Sequence, residues 1–328
     1  MVELLKEKVL RGESIDQIEA LTLLNWPNKE EVYAAANEIR IHHHGNTMDM
    51  CSILNARSGR CSEDCKWCSQ SAFHKTNIEE YELVDLKEAE EMAKSNAEKG
   101  VHKFSLVTSG RAISNHNLDK LCGVYKSIQK NTPIRLCASM GLLKKDQLQK
   151  LKDSGVEHYH CNIETAPSFF SELVSSHSME EKIQTIKQAQ SIGMEVCSGG
   201  IIGMGETPEQ RIEMAFTLNQ LNILSIPINV LTPIKGTQLE GMERLTDDEI
   251  LTTFALFRFI NPKAKIRMAA GRNLFAHIQD KALSAGVNAA LVGDFLTTIG
   301  SNINQDKEIF TKAGFSIVNE DVKDTANI

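Results

Sequence analysis

Three of the chain's eight cysteines, Cys61, Cys65 and Cys68, share one short stretch, RSGRCSEDCKWCSQS, with C-x3-C-x2-C spacing. Thiolates are soft ligands that suit zinc or iron–sulfur clusters. A structural zinc site closes on four ligands, commonly from two paired knuckles, and no second knuckle follows here at that spacing. Three thiolates on one loop instead suit a 4Fe–4S cluster with one iron left open to chelate a small molecule. Zinc, or three unrelated thiols, is the plainer alternative. The other five cysteines, Cys51, Cys122, Cys137, Cys161 and Cys197, are scattered. Disulfide scaffolds are usually short and secreted, whereas this chain has 328 residues and an N-terminus that reads as an amphipathic helix rather than a signal peptide.

The elements that must position these thiols can be read from composition and periodicity. The chain is 41% apolar and 24% charged, with net charge −7. That is too apolar for a disordered protein and too polar for a membrane one. No run approaches the roughly 18 to 20 apolar residues of a membrane span. An acidic balance with 5% aromatics argues against a nucleic-acid surface. The expectation is a cytoplasmic globular protein with neither nucleic acid nor membrane as partner.

Buried-strand candidates recur at 48–56, 102–108, 134–140, 157–163, 194–202, 225–231, 265–270 and 287–292. Helical patterns alternate with them, among them 85–99, 144–153, 179–192, 207–221, 246–259 and 272–285. Asp85, Thr207 and Thr246 read as N-caps, and Gly100, Gly155, Gly193 and Gly286 as C-terminal stops. Strict alternation implies a parallel sheet, and eight units close a (β/α)8 barrel; an open doubly wound sheet is the second choice. The expected organisation is a helical extension over 1–45, a barrel over 46–315 and a tail over 316–328. Barrel active sites lie at the C-terminal strand ends, where Thr108, Ser139, Asn162, Glu164 and Asn229 fall.

With Trp67 before its last cysteine, the C-x3-C-x2-C loop resembles the signature of radical S-adenosylmethionine enzymes. That resemblance implies that the open iron binds the amino and carboxylate groups of S-adenosyl-L-methionine, which reduction cleaves to a 5′-deoxyadenosyl radical. Over roughly residues 30 to 315, the stretches CSEDCKWCSQS, YHCNIETAP, EVCSGGIIGMGET, IPINVLTPIKGT and IRMAAGR resemble the biotin synthase family. The family inserts sulfur into dethiobiotin, taking it from a second, auxiliary iron–sulfur cluster deeper in the barrel. An external electron donor such as flavodoxin or ferredoxin, and a homodimer, are implied with it.

Carried over by motif, Asn162 and Glu164 would bind the cofactor ribose, with Asn162 also touching dethiobiotin. Trp67 and Ile201 would flank the adenine, Thr108 would join the cofactor site, and Asn229 would hydrogen-bond the ureido ring. Thr297 and Thr298 would hold the substrate carboxylate, with Arg57 steering it. GGIIGMGE lacks the spacing of a dinucleotide fingerprint and reads as close backbone approach to the cofactor.

One departure stands out. The family's auxiliary cluster is 2Fe–2S, held by three cysteines and an arginine; motif matching places these at Cys137, Cys197 and Arg267, but the third cysteine falls on Ser105. Cys51 and Cys161 appear where the family has other residues. Strand alternation turns Cys161 away if Asn162 points inward, unless the strand end bends, whereas Cys51 suits an inward position. Cys51, Cys137, Cys197 and Arg267 fall on the first, third, fifth and seventh candidate strands, the alternation that builds one interior layer. The reading is a relocated cluster held by Cys51, Cys137 and Cys197, with Arg267 or Cys161 as fourth ligand or close neighbour. Such a set would also suit a four-iron cluster with an extra sulfide. The plainer alternative makes Cys51 and Cys161 small buried hydrophobes, as mid-helix Cys122 is expected to be. His42, His43 and His44 read as a solvated or capping run, and 79–98 as a solvated helix face.

Two other functions compete. One is a radical enzyme of cofactor maturation or carbon-skeleton chemistry that inserts no sulfur. The other is a non-catalytic iron–sulfur or zinc-binding barrel.

Overall fold

The computed structural model describes residues 1–293, 296 and 300–317. Among them nine parallel strands form one closed sheet: β1 (Asp49–Arg57), β2 (Lys103–Thr108), β3 (Arg135–Ser139), β4 (Val156–His160), β5 (Glu195–Cys197), β6 (Gly200–Ile202), β7 (Ser225–Val230), β8 (Lys265–Met268) and β9 (Ala289–Leu291). β1 pairs with both β2 and β9, and β5 and β6 both pair with β7, so the ring is complete. β5 and β6 are halves of one interrupted stave, which gives eight staves. Each expected strand is found, and the fold is the (β/α)8 barrel.

The interruption has a steric cause. A Cβ on Gly199 would lie 1.9 Å from the Pro227 carbonyl oxygen, and one on Gly200 would lie 2.4 Å from that of Glu164. The glycine pair therefore lets the protein's own strands approach.

Local signals account for the helices. The side chains of Asp85, Thr207 and Thr246 each accept a backbone N–H of the helix they open, at Lys87, Gln210 and Glu249. Gly100, Gly155, Gly193 and Gly286 all take positive φ, between 74° and 101°. The helix expected over 272–285 divides into a 3-10 turn, Arg272–Ile278, and a short α-helix, Gln279–Leu283. The backbone leaves helical angles at Phe275 and Ile278, and Arg272 at the start of the segment is buried, held by Asp306 at 2.7 Å and by the Leu291 carbonyl at 2.9 Å. Among the described residues no helix is long and apolar enough to cross a membrane.

Three N-terminal helices, Val2–Leu10, Gln17–Leu24 and Lys29–His44, precede β1. The third packs on Asp247–Ile260, where Tyr33 Oη meets Thr252 Oγ1 at 3.1 Å. The histidine run at its end is not uniformly solvated. His44 Nε2 accepts from Arg258 Nη1 at 3.1 Å, and Arg258 is fully buried, with no carboxylate among its hydrogen-bond partners.

His44 must stay neutral to accept that bond. Burial, then the Arg258 charge, lower its pKa from 6.5 to about 3. The unfolded chain therefore binds a proton that the folded chain refuses, and stability falls as pH drops from 6.5 towards 3. Between neutrality and pH ~5 the loss through this group is about 2 kcal/mol. Urea unfolding should show that deficit in the wild type and not in His44→Gln, which keeps an acceptor but cannot titrate. Equal pH dependence in the two proteins would refute it.

Candidate active site

A cavity of about 430 Å³ occupies the barrel and takes lining residues from all eight staves. At one end lie Cys61, Cys65, Trp67 and Cys68; at the other lie Cys51, Cys137 and Cys197. Two separate sets of thiols thus face one cavity.

The loop carrying the first set closes on itself. Cys61 N–H donates to the Gln70 carbonyl at 2.9 Å, Ala72 N–H to the Cys61 carbonyl at 2.8 Å, and Cys68 N–H to the Cys65 carbonyl at 3.0 Å. The intervening acids tie it to the segment before helix Met179–Ser191. Asp64 accepts the backbone N–H groups of Ser175 and Ser176, both at 3.0 Å. Glu63 Oε2 lies 2.7 Å from His177 Nδ1. These anchors were not read from the sequence, since nothing local to Glu63 or Asp64 marks a partner more than 100 residues away.

Burial raises the Cys65 thiol well above its usual range and pushes Cys68 up to about 11, and each is raised further by neighbouring loop thiols. Three thiols on one closed loop suit a cationic iron–sulfur core, which would hold them as thiolates. Among the described residues no three His, Cys, Asp or Glu side chains converge on a single-ion site. A cluster places its ligands on different irons, around a larger core.

Above this loop stand the polar groups expected for a cofactor. Glu164 has φ +70° and leaves the end of β4 through a left-handed turn. Its Oε1 accepts Lys182 Nζ at 3.3 Å, and its Oε2 accepts Asn162 Nδ2 at 3.4 Å. Asn162 Oδ1 accepts Gly199 N–H at 3.0 Å. Lys182 was missed by sequence reasoning, although a signal exists. It shares the buried face of its helix with Met179, Ile186 and Ala189. Burial opposes its charge, yet Glu164 and the Cys161 and Cys65 thiols hold its pKa above the ordinary value.

Trp67, Thr108 and Ile201 line the same cavity, and Thr108 Oγ1 is buried without a hydrogen-bond partner. Asn229 also lines it, but both its polar atoms are used: Nδ2 donates to the Gly200 carbonyl and Oδ1 accepts Ala270 N–H, each at 3.0 Å. Arg57 is the last residue of β1 rather than a loop residue and does not line the cavity; its Nη1 donates to the Ser109 carbonyl at 3.1 Å. A register shift between Asn55 and Arg57 turns the strand end there. Thr297 and Thr298 lie outside the described residues.

At the inner end the Cys137 thiol hydrogen-bonds Cys51 and, with Arg267 and Lys103 nearby, draws its pKa below the usual thiol value against the effect of burial, while Cys137 is itself pushed up. Cys197 Sγ accepts Ser225 Oγ at 3.3 Å. Asp49 gathers the cations: Lys103 Nζ and Arg267 Nη2 at 2.5 Å, and Lys265 Nζ at 2.8 Å. Lys103 and Asp49 were likewise missed, because each reads as an unremarkable charge at the start of a strand. Ser105 faces the cavity beside Cys137 in register, its Oγ unpartnered.

Cys161 lines the cavity too. Alternation turned it away, but β4 ends at His160, and beyond the last ladder bond the period-two rule lapses. The charged groups that shift its thiol are Lys182 and Glu164 rather than the inner residues, which sets it towards the cofactor end.

Fold and loop together define a radical S-adenosylmethionine enzyme, and the model of the Radical SAM superfamily matches residues 56–218. A Biotin and Thiamin Synthesis associated domain matches residues 227–316. The chain belongs to the biotin synthase family. It is 49% identical over 317 residues to the biotin synthase of Parabacteroides distasonis, covering 96% of this chain and 97% of that one. It is 49% identical to that of Clostridium botulinum, covering 97% and 99%. Among solved structures, methylornithine synthase superposes with TM-score 0.82 at 19% identity, covering 96% of this chain and 97% of that one. The FeFe-hydrogenase maturase from Carboxydothermus hydrogenoformans does so at 0.82 and 17%, covering 97% and 80%. At such identities these two likenesses speak for the fold alone.

Proposed function

We propose that the protein converts dethiobiotin to biotin by radical S-adenosylmethionine-dependent sulfur insertion. The observation that carries this reading is one cavity with thiols at both ends and cofactor-binding polar groups between them. When bound, the 4Fe–4S cluster and S-adenosylmethionine supply a hydrogen-abstracting 5′-deoxyadenosyl radical, and the auxiliary cluster supplies the sulfur.

Cys61, Cys65 and Cys68 hold the first cluster. Asn162 and Glu164 bind the ribose hydroxyls, with Lys182 fixing the Glu164 carboxylate at 3.3 Å. Trp67 and Ile201 enclose the adenine, with Thr108 beside them. Asn162 and Asn229 meet the ureido ring, and Thr297 and Thr298 serve the substrate carboxylate. Cys51, Cys137 and Cys197 hold the auxiliary cluster, with Arg267 as a close neighbour, while Cys161 lies towards the cofactor end. The barrel walls keep water from the radical. The working unit is a barrel over 46–315 with a helical extension over 1–45 and a tail over 316–328. It is a cytoplasmic homodimer reduced by a flavodoxin or ferredoxin.

The test incubates reduced, anaerobically reconstituted protein with S-adenosylmethionine and dethiobiotin. Biotin and 5′-deoxyadenosine should both form. Deoxyadenosine without biotin would favour a maturation or carbon-skeleton enzyme, and neither product would favour a non-catalytic barrel.

A further inference from the structure

The inner thiols leave a donor position to account for. Ser105 stands where a third family thiolate would be, and Arg267 is already engaged. Its Nη1 donates to the Asp49 and Ala290 carbonyls at 3.2 and 2.9 Å, and its Nη2 donates to the Asp49 carboxylate. Another side chain meets the requirements of a ligand better.

His158 sits on β4, opposite Cys137 of β3 and Glu195 of β5 in register. It lines the cavity and is only 3% exposed. Its Nε2 lies 2.8 Å from Glu195 Oε2, and Glu195 is itself held by Arg135 Nη2 at 3.2 Å. With Nε2–H donating to that carboxylate, Nδ1 carries the lone pair. Nδ1 is buried and has no hydrogen-bond partner. A buried acceptor left unfilled is costly. A histidine whose far nitrogen is fixed by a carboxylate is the arrangement that metal-ligating imidazoles adopt, because the carboxylate sets tautomer and ring orientation. Imidazole is also an established iron–sulfur ligand.

We propose that His158 Nδ1 is a ligand of the auxiliary iron–sulfur cluster, alongside Cys51, Cys137 and Cys197, with Glu195 as its positioning residue. This rests on the reading above that a second cluster occupies the inner end of the cavity. His160 also lines the cavity, in register with Cys197 and one inward position closer to Asn162 and Glu164, but among the described residues no carboxylate is paired with its ring as Glu195 is with that of His158.

The test uses the full chain labelled with 15N-histidine, reconstituted anaerobically and reduced, with pulsed electron–nuclear double resonance on the auxiliary cluster. One strongly coupled histidine nitrogen is expected; labelling histidine alone keeps an arginine nitrogen out of the signal. His158→Cys should keep the iron and sulfide content, lose the nitrogen coupling and lower the cluster's reduction potential, since thiolate stabilises the oxidised state more than imidazole does. Circular dichroism checks that this variant and His158→Ala fold. Coupling that persists in His158→Cys, or a wild-type auxiliary cluster with no strongly coupled histidine nitrogen, overturns the ligand assignment alone. Wild-type protein that binds no iron beyond the cluster of Cys61, Cys65 and Cys68 overturns both this assignment and the proposed sulfur insertion.

Discussion

Cys65→Ala is expected to lose the first cluster and, with it, 5′-deoxyadenosine formation by at least about 10³-fold, since no weaker version of the same chemistry remains. Iron should fall by about four per chain and the auxiliary cluster should survive. The fold should survive as well. The loop is closed by backbone hydrogen bonds at Cys61, Ala72 and Cys68 and anchored by Glu63 and Asp64, none of which needs the Cys65 side chain. Relieving a buried thiol that burial already keeps from ionising costs the apoprotein little. Iron analysis and product chromatography decide the matter, and undiminished deoxyadenosine formation would be incompatible with the assignment.

Cys51→Ala is expected to do the reverse. The auxiliary iron and sulfide should be lost, biotin should fall below about 1% of wild type, and deoxyadenosine should still form within a few-fold. The separation follows from geometry, because Cys51 lies at the inner end beside Cys137 and Arg267, away from the loop of Cys61. A packing role for Cys51 predicts a different result, a modest stability loss with both clusters intact. The double variant Cys51→Ala/Ser105→Cys sharpens the comparison. Ser105 faces the cavity in register with Cys137, so a thiol there restores the donor count and should recover auxiliary iron. Unchanged iron and sulfide in Cys51→Ala would remove Cys51 from the ligand set.

Much of the barrel was legible because its signals are local. The eight strand segments are short apolar runs between capped helices, and the caps at Asp85, Thr207 and Thr246 bond to residues two or three positions away. The polar strand ends at Thr108, Ser139, Asn162 and Asn229 followed from strand direction alone, since parallel strands bring all their C-terminal ends to one rim. What failed did so at places where a local rule stops. Cys161 lies one residue past β4, where alternation no longer applies. The helix expected over 272–285 is broken at Phe275 and Ile278, where the backbone leaves helical angles. The close approach of the glycine pair 199–200 to Pro227 and Glu164 was not read, since neither contact follows from a local rule.

The amino-acid sequence by itself determined the fold class, the three-cysteine loop and the family resemblance, because each rests on spacing along the chain. It also placed Ser105 where the resemblance expects a ligand cysteine and made Cys51 a candidate to replace it. Only the tertiary structure decided which charges meet. Asp49 collects Lys103 from β2 and Lys265 and Arg267 from β8, Lys182 reaches Glu164 from a helix, and Glu195 aligns His158. The reason is physical. A charged side chain looks alike in sequence whether solvated or buried, and only closure of the barrel brings the partners within hydrogen-bonding distance and excludes the water that would otherwise screen them.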